Sequence, residues 1–107
     1  MTTNQKIRYI ANHYGYESQS RQCIEEMAEL IQAINKFDRS GKSLAETGKA
    51  KALHEMLESV NHIAEEIADV EIMIAQLQEL LGIGDEQIMG IVDMKLDREI
   101  MRIKEAI

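Results

Sequence analysis

The sequence predicts an all-α fold, an antiparallel helical bundle of about four helices, and three observations support this prediction. The 107 residues include no proline, and aromatic residues make up only 4% of them. Ala, Leu, Ile, Met, Glu, Gln and Lys dominate the chain, and most of these residues favour helices over strands. Apolar residues recur at spacings of three and four, which place them on one face of a helix.

The first helix is predicted over residues 3–13. Thr2 and Gln5 have the spacing of a capping box, in which the side chain of each residue accepts a hydrogen bond from the backbone N–H of the other. Ile7, Ile10, Ala11 and Tyr14 lie on one helical face, and Gly15 is the predicted end.

The second helix is predicted from about Ser18 to Arg39, ending at Gly41. Residues 40–50 contain two glycines, two serines and two lysines, a composition typical of a connection. We therefore expect a mobile loop there, with room for one helical turn. The apolar stripe predicted for the second helix consists of Cys23, Met27, Leu30, Ile31, Ile34 and Phe37.

The third helix is predicted from about Lys51 to Leu81, and the fourth from Asp85, as its N-cap, to the C-terminus. Gly82 and Gly84 separate them. Each helix carries an apolar stripe suited to a core, and short connections favour antiparallel neighbours. The stripes consist of Val60, Ile63, Ala64, Ile67, Val70, Ile74, Leu77 and Leu81, and of Met89, Val92, Leu96, Ile100, Ile103 and Ile107.

Length, charge and cysteine content restrict the class of protein. A chain of 107 residues suits one domain over residues 1–107 and is short enough for oligomerisation to help complete its core. With 12 basic and 19 acidic residues the net charge is −7, so we expect no nucleic-acid polymer as a partner. One cysteine cannot form an internal disulfide, and no apolar run suits a membrane span. We expect a cytoplasmic protein with no membrane partner.

Two acid pairs stand out, Glu26 with Glu29 and Glu66 with Asp69. Residues three apart are neighbours on a helix surface, and packed helices lie about 8–10 Å apart. Four carboxylates from two packed helices can therefore converge on one small volume. An ExxE spacing alone is weak evidence, however, because glutamate is a common residue on solvated helix faces.

The angular positions of the acids strengthen the case for a metal. Glu26 and Glu66 each fall at the edge of an apolar stripe, where an acid is unfavourable unless it is neutralised. Repelling carboxylates have raised pKa values or need a cation. Mg²⁺ suits oxygen-only ligands and commonly joins carboxylates to substrate phosphates.

The acid pairs and their surroundings resemble the MazG-like superfamily of all-α nucleoside triphosphate pyrophosphohydrolases. The matching segments are CIEEMAELIQAI and HIAEEIADVEIMIAQL, and the similarity extends from about Gly15 to Arg102. The resemblance implies that the four acids are catalytic and bind Mg²⁺, with Mn²⁺ as a substitute. It implies cleavage of a nucleoside triphosphate between its α and β phosphates, giving a monophosphate and pyrophosphate. It also implies a homodimer or homotetramer.

A row of cations lies on the predicted fourth helix. Lys95, Arg98 and Arg102 share one face, and Arg can contact phosphate oxygens through two donors. Lys95 and Arg98 resemble a C-terminal element of the same superfamily and are the predicted substrate-binding residues. The alternative is a solvated face on which Arg98 and Arg102 pair with acids such as Glu99 or Glu105.

Other interpretations remain open at this point. Either Glu29 or Glu26 is expected to accept the proton of the attacking water, and the sequence does not decide which. Within the superfamily, a dUTP- or dCTP-specific pyrophosphatase and a phosphoribosyl-ATP pyrophosphohydrolase compete. A non-catalytic helical interaction module is the alternative from another class, supported by the heptad-like spacing of Met89, Leu96 and Ile103. A di-iron bundle is less consistent, because neither acid motif has the required histidine. Cys23 is expected to be a buried, inert thiol.

Overall fold

The computed structural model describes residues 1–106, which form four helices joined by short connections. No strand occurs within this range, so the all-α prediction is confirmed. Ile107, the last residue of the predicted fourth stripe, lies outside the described residues. None of the four helices has an apolar stretch of the length needed to cross a bilayer. The helices are α1 (Thr3–Tyr14), α2 (Tyr16–Thr47), α3 (Ala50–Leu81) and α4 (Asp85–Glu105).

The predicted start and end of α1 are confirmed to within a residue. The backbone N–H of Gln5 donates to Oγ1 of Thr2 at 3.1 Å, and the backbone N–H of Thr2 donates to Oε1 of Gln5 at 2.8 Å. Gly15 ends the helix with a φ of +83°, a backbone conformation that glycine adopts without steric cost. α2 begins at the next residue, earlier than predicted.

The predicted loop over residues 40–50 was wrong. α2 continues through Gly41 to Thr47, and only two residues separate it from α3. Helix-interior glycine costs about 1 kcal/mol relative to alanine, and packing against α3 offsets this because Ser40 is buried. Gly48, with a φ of +61°, ends the helix instead.

α2 and α3 are 32 residues each and pack antiparallel along a seam whose positions alternate by three and four residues. This is the heptad spacing of paired helices in coiled coils. Every seam position is buried or half-buried. The seam consists of Gln19, Cys23, Glu26, Leu30, Ala33, Phe37 and Ser40 on α2, and of Ala52, Met56, Ser59, Ile63, Glu66, Val70 and Met73 on α3.

The seam is rotated relative to the predicted stripes. Met27, Ile31 and Ile34, which were predicted to face the core, are exposed. The predicted stripes follow the large aliphatic residues. The seam instead includes smaller and polar side chains such as Ala33 and Gln19, which are buried. Most of the large apolar residues that directly follow a seam position, together with Leu81 near the end of α3, form an apolar face whose members are 40–67% exposed. The apolar face consists of Ile24, Met27, Ile31 and Ile34 on α2 and of Leu53, Leu57, Val60, Ile67, Ile74 and Leu81 on α3.

A buried hydrogen bond between side chains joins α2 and α3 at one end of the seam. Nε2 of Gln19, near the start of α2, donates to Oε1 of Gln76, near the end of α3, at 2.8 Å. Both side chains are buried, so the bond satisfies groups that water cannot reach. It fixes the register of the two helices.

α1 packs mainly on α3, where Ala11 is fully buried and Arg8 Nε lies 3.1 Å from Oε1 of Glu79. α4 differs, since none of its residues is buried. The radius of gyration is 18.4 Å, against about 13 Å for a compact domain of this length. In the single chain, α1, α2 and α3 therefore pack together. The prediction that the fourth helix faces the same core was wrong for the single chain.

The connection before α4 also differs from the prediction. Gly84 occupies the N-cap position and Asp85 is the first helical residue. Nε2 of Gln78 donates to Oδ1 of Asp85 at 3.0 Å. The Asp85 carboxylate therefore lies in the first turn, where its negative charge interacts favourably with the helix dipole. It also accepts a hydrogen bond from α3.

A carboxylate cluster beside a cleft between α2 and α3

Three of the four predicted acids converge. One carboxylate oxygen from each of Glu26, Glu29 and Glu66 lies within 4.8 Å of the others. Glu26 and Glu66 occupy seam positions, so the packing that buries the seam brings them together from opposite helices. Glu29 lies one turn further along α2 and completes the cluster, which we call the acid trio.

Two oxygens of the acid trio are buried without a donor. Oε2 of Glu26 and Oε2 of Glu66 have no hydrogen-bond partner among the described residues. Glu66 as a whole is only 7% exposed. Burying a carboxylate oxygen without a partner is unfavourable, and more than about 90% of buried polar groups in native proteins have one. The trio therefore has the properties of a site that binds a cation.

The other oxygens of Glu26 and Glu66 have neighbours. Nε2 of Gln22 donates to Oε1 of Glu26 at 2.8 Å, one helical turn away. Nε2 of His62 lies 3.6 Å from Oε1 of Glu66. These contacts involve Oε1 of each carboxylate and leave Oε2 without a partner.

Electrostatic repulsion within the trio raises the pKa of Glu29. The charge of Glu26 raises the pKa of the Glu29 carboxyl above its ordinary value, and the charge of Glu66 adds to the shift. Desolvation, a hydrogen bond with Glu26 and the charge of Asp69 raise the same pKa further. A proton on Glu29 or a bound cation relieves this repulsion.

Asp69 lies at the margin of the trio. It is exposed, and its charge reaches Glu29, but its oxygens are outside the 4.8 Å group. Asp69 precedes the seam position Val70, so its short side chain leaves the helix beside the seam. Of the four predicted acids, three therefore have oxygens within 4.8 Å of one another, and the fourth, Asp69, lies beside them.

An open cleft of about 450 Å³ adjoins the trio on the side formed by residues one position before the seam. Sequence reasoning missed two cations that line it, Lys36 and Arg39. They follow Glu29 by seven and ten residues, a spacing that returns to the same side of a helix, and this signal was available in the sequence. The cleft is lined by Glu29, Gln32, Ala33, Lys36, Arg39, His62 and Glu66.

The cations predicted on α4 are placed elsewhere. Lys95 and Arg98 are exposed, and neither lines the cleft beside the trio. Arg102 Nη1 lies 3.2 Å from Oε2 of Glu99, which is the pairing expected for a solvated helix face. Within one chain, Lys36 and Arg39 are the cations that share a cleft with the carboxylates.

Cys23 is buried, as predicted, and is only 1% exposed. Burial raises the pKa of its thiol, which disfavours the thiolate needed for nucleophilic attack. The thiol is a packing group of the seam, next to the trio in sequence but with no part in its chemistry.

The donor set of the trio consists of carboxylate oxygens, which match hard divalent cations such as Mg²⁺. The buried, unpartnered oxygens of Glu26 and Glu66 and the repulsion at Glu29 all fit a bound cation. Comparisons of the chain with protein-family profiles, with curated proteins and with solved structures find no match.

Proposed function

We propose that the chain is a Mg²⁺-dependent nucleoside triphosphate pyrophosphohydrolase, which cleaves the bond between the α and β phosphates to release a nucleoside monophosphate and pyrophosphate. The observation that carries the proposal is the acid trio, with two buried oxygens lacking partners, beside an open cleft. The resemblance of the two acid motifs to the MazG-like superfamily supports the same activity, and with it a MazG-like fold.

Glu26, Glu29 and Glu66 are the residues that would hold the metal, with Asp69 beside them. When bound, Mg²⁺ neutralises phosphate oxygens and stabilises the charge that develops during phosphoryl transfer. Mn²⁺ is expected to substitute for it. Without a bound cation a polyphosphate would meet a cluster of negative charge, so we expect substrate binding to require the metal.

Glu29 is the carboxylate that we assign to accept the proton of the attacking water. It is the exposed member of the trio and lines the cleft, whereas Glu26 is held by Gln22 and does not line it. Water adds to the α phosphorus, and pyrophosphate leaves with the electrons of the broken P–O bond. A general base contributes roughly 10²–10⁴-fold to such a step.

The direct test is a panel of nucleoside and deoxynucleoside triphosphates with Mg²⁺, in which pyrophosphate and monophosphate are measured. Glu66→Gln should lower turnover by at least about 100-fold, since even outer contacts of metal sites contribute 10–100-fold. Glu65→Gln, an exposed neighbour, is the matched control and should retain activity. Release of inorganic phosphate would show that the cleavage position is wrong.

The same panel addresses the choice of base. A dUTP- or dCTP-specific pyrophosphatase would hydrolyse one pyrimidine deoxynucleotide far faster than the others. A general enzyme would cleave several at similar rates. Discrimination of more than about 100-fold requires hydrogen bonds to the base, so the ratio of kcat/KM values separates the two.

We further propose that the protein is a homodimer or homotetramer. Two observations support this: the apolar face is exposed along the α2–α3 pair, and α4 has no buried residue. Contiguous apolar patches of this kind mark interaction sites. Oligomerisation would also allow Lys95 and Arg98 of a partner copy to contribute to substrate binding.

The exposed apolar residues also favour a second candidate, a helical interaction module without catalysis. Met89, Leu96 and Ile103, which have heptad-like spacing, are each more than half exposed. A Mg²⁺ titration followed by thermal melting separates the candidates, because ligand binding to the folded state raises the melting temperature. An unchanged melting temperature, together with no hydrolysis across the panel, would favour the interaction module.

A further inference from the structure

The cleft beside the acid trio has opposite charges at its two ends. Glu29 and Glu66 lie at one end, and Lys36 and Arg39 line the continuation of the same cleft. The chain carries a net charge of −7, so two cations on one wall contrast with their surroundings. A ligand that spans the cleft would meet the acids with one part and the cations with another.

The two cations are not engaged in ion pairs with other described residues. The side-chain pairs within 4.0 Å involve Arg8, Arg21, Arg102 and two histidines. Lys36 also lines a neighbouring hollow with Glu55 and Glu58 but forms no pair with either. The donors of Lys36 and Arg39 are therefore available to a ligand.

Helix geometry directs these cations toward the trio. Lys36 follows Glu29 by seven residues, about 10 Å along the axis, and Arg39 follows by ten, about 15 Å. Side chains on a helix lean toward its N-terminus, so both long side chains lean back toward Glu29. The acids and the two cations therefore line the same cleft from its two ends.

We infer that Lys36 and Arg39 form a subsite for the pyrophosphate portion of the substrate, the β and γ phosphates that leave together, while the acid trio holds the metal at the site of cleavage. This inference rests on the proposed function. The terminal phosphates carry most of the charge of a triphosphate, and Arg can contact two phosphate oxygens at once. The subsite selects triphosphates over nucleotides with fewer phosphates.

The subsite can be tested by binding as well as by turnover. We would measure the binding of inorganic pyrophosphate in the presence of Mg²⁺ by calorimetry, together with the KM for the best triphosphate. The test protein is the double variant Lys36→Gln with Arg39→Gln. The control is Arg21→Gln with Lys42→Gln, which removes the same charge from exposed positions of the same helix outside the cleft.

The cleft variant should bind pyrophosphate at least about tenfold more weakly, a loss equivalent to one or two charged hydrogen bonds. Its KM should rise by a similar factor, and Mg²⁺ should still raise its melting temperature because the trio is intact. The control should bind pyrophosphate as the wild type does. An equal loss in both variants would overturn the subsite and identify a general effect of charge.

The outcomes separate this inference from the proposed function. Hydrolysis by the wild type with unchanged pyrophosphate binding in the cleft variant would overturn the subsite alone. Pyrophosphate binding that depends on Lys36 and Arg39 in a protein that hydrolyses no triphosphate would overturn the function alone. A wild-type protein that does not bind pyrophosphate with Mg²⁺ would overturn the subsite, whatever the hydrolysis assay shows.

Discussion

Glu26 and Glu66 meet across the α2–α3 seam, and each has one buried carboxylate oxygen that no described donor contacts. Seam positions in paired helices normally hold apolar residues. Two carboxylates there oppose folding of the metal-free protein, since they repel each other and lose hydration. The seam thus carries a local defect in stability at the point where the proposed chemistry occurs, a combination typical of functional sites.

Replacing both acids should therefore stabilise the metal-free protein. We expect Glu26→Met with Glu66→Met to raise the free energy of unfolding by about 1–4 kcal/mol. This is the range found when even mutually attracting buried ion pairs are replaced by apolar residues, and these two carboxylates repel each other. The measurement is chemical denaturation in EDTA. The exposed Glu25→Met with Glu65→Met is the control, with an expected change of about 0.5 kcal/mol or less. Destabilisation of the seam variant would argue that the two carboxylates have partners in solution.

The raised pKa of Glu29 predicts a pH-dependent difference between the wild type and Glu29→Gln. Because the folded chain holds this proton more tightly than the unfolded chain, the contribution of Glu29 to stability is fully present below its ordinary pKa of 4.5. It is lost as the pH rises through the raised value. In EDTA, the wild type should therefore lose stability relative to Glu29→Gln as the pH rises from below 4.5 through the raised pKa of Glu29.

Mg²⁺ should reverse that difference at pH 7. It should raise the melting temperature of the wild type and have a smaller effect on Glu29→Gln, because the variant has lost a charged ligand. Glu25→Gln, which leaves the trio intact, is the control and should respond to Mg²⁺ like the wild type. A wild-type melting temperature that is unaffected by millimolar Mg²⁺ would contradict the metal site.

Local sequence patterns predict the features that depend on nearby residues alone. The capping box at Thr2 and the ends at Gly15 and Gly82 follow from backbone chemistry within a few residues, and they were predicted correctly. The loop over residues 40–50 was wrong because long-range packing against α3 outweighs the low helix propensity of Gly41.

The candidate site was predictable only in part, for a similar reason. Spacing places Glu26 with Glu29, and Glu66 with Asp69, on single helices. Whether they meet depends on which face of each helix packs against the other. A search for large apolar residues misplaces this face, because the seam includes small and polar residues. Lys36 and Arg39, the cations that share the cleft, were not predicted, because the residues before Lys36 are a mixture of apolar and polar types. The row of three cations on α4 forms a clearer pattern.

The continuity of α2 through its C-terminal third predicts opposite effects at two glycines. Gly41→Ala should stabilise the protein by about 0.5–1 kcal/mol, because Gly41 is inside a helix and an added Cβ meets Met56 Cε at an ordinary 3.8 Å. Gly48→Ala should destabilise it by about 1–2 kcal/mol, because Gly48 has a φ of +61°. Thermal melting of both variants checks the signs. A neutral Gly41→Ala variant would indicate that the segment is not helical in solution.

The buried bond between Gln19 and Gln76 predicts a strong coupling between the two positions. Gln76→Met should cost about 1–3 kcal/mol, because the donor of Gln19 would be left buried without its acceptor. The double variant, with methionine at both positions, should recover most of this loss, since apolar groups of similar shape replace both partners. A double-mutant cycle by denaturant unfolding measures the coupling. Additive losses would show that the bond does not define the register.

The exposed apolar face predicts that one charge on it lowers the oligomeric state. Ile31 is 59% exposed and lies near the middle of the face on α2, so Ile31→Lys should place a charge within the proposed contact between copies, where it would be desolvated at considerable cost. Light scattering coupled to size-exclusion chromatography should show a multiple of the 12.2 kDa chain for the wild type and a smaller mass for the variant. Gln32→Lys adds the same charge at an exposed position of the same helix, on the cleft side and away from the apolar face, and should leave the mass unchanged. A monomeric wild type would refute the oligomer and leave the apolar face to a different protein partner.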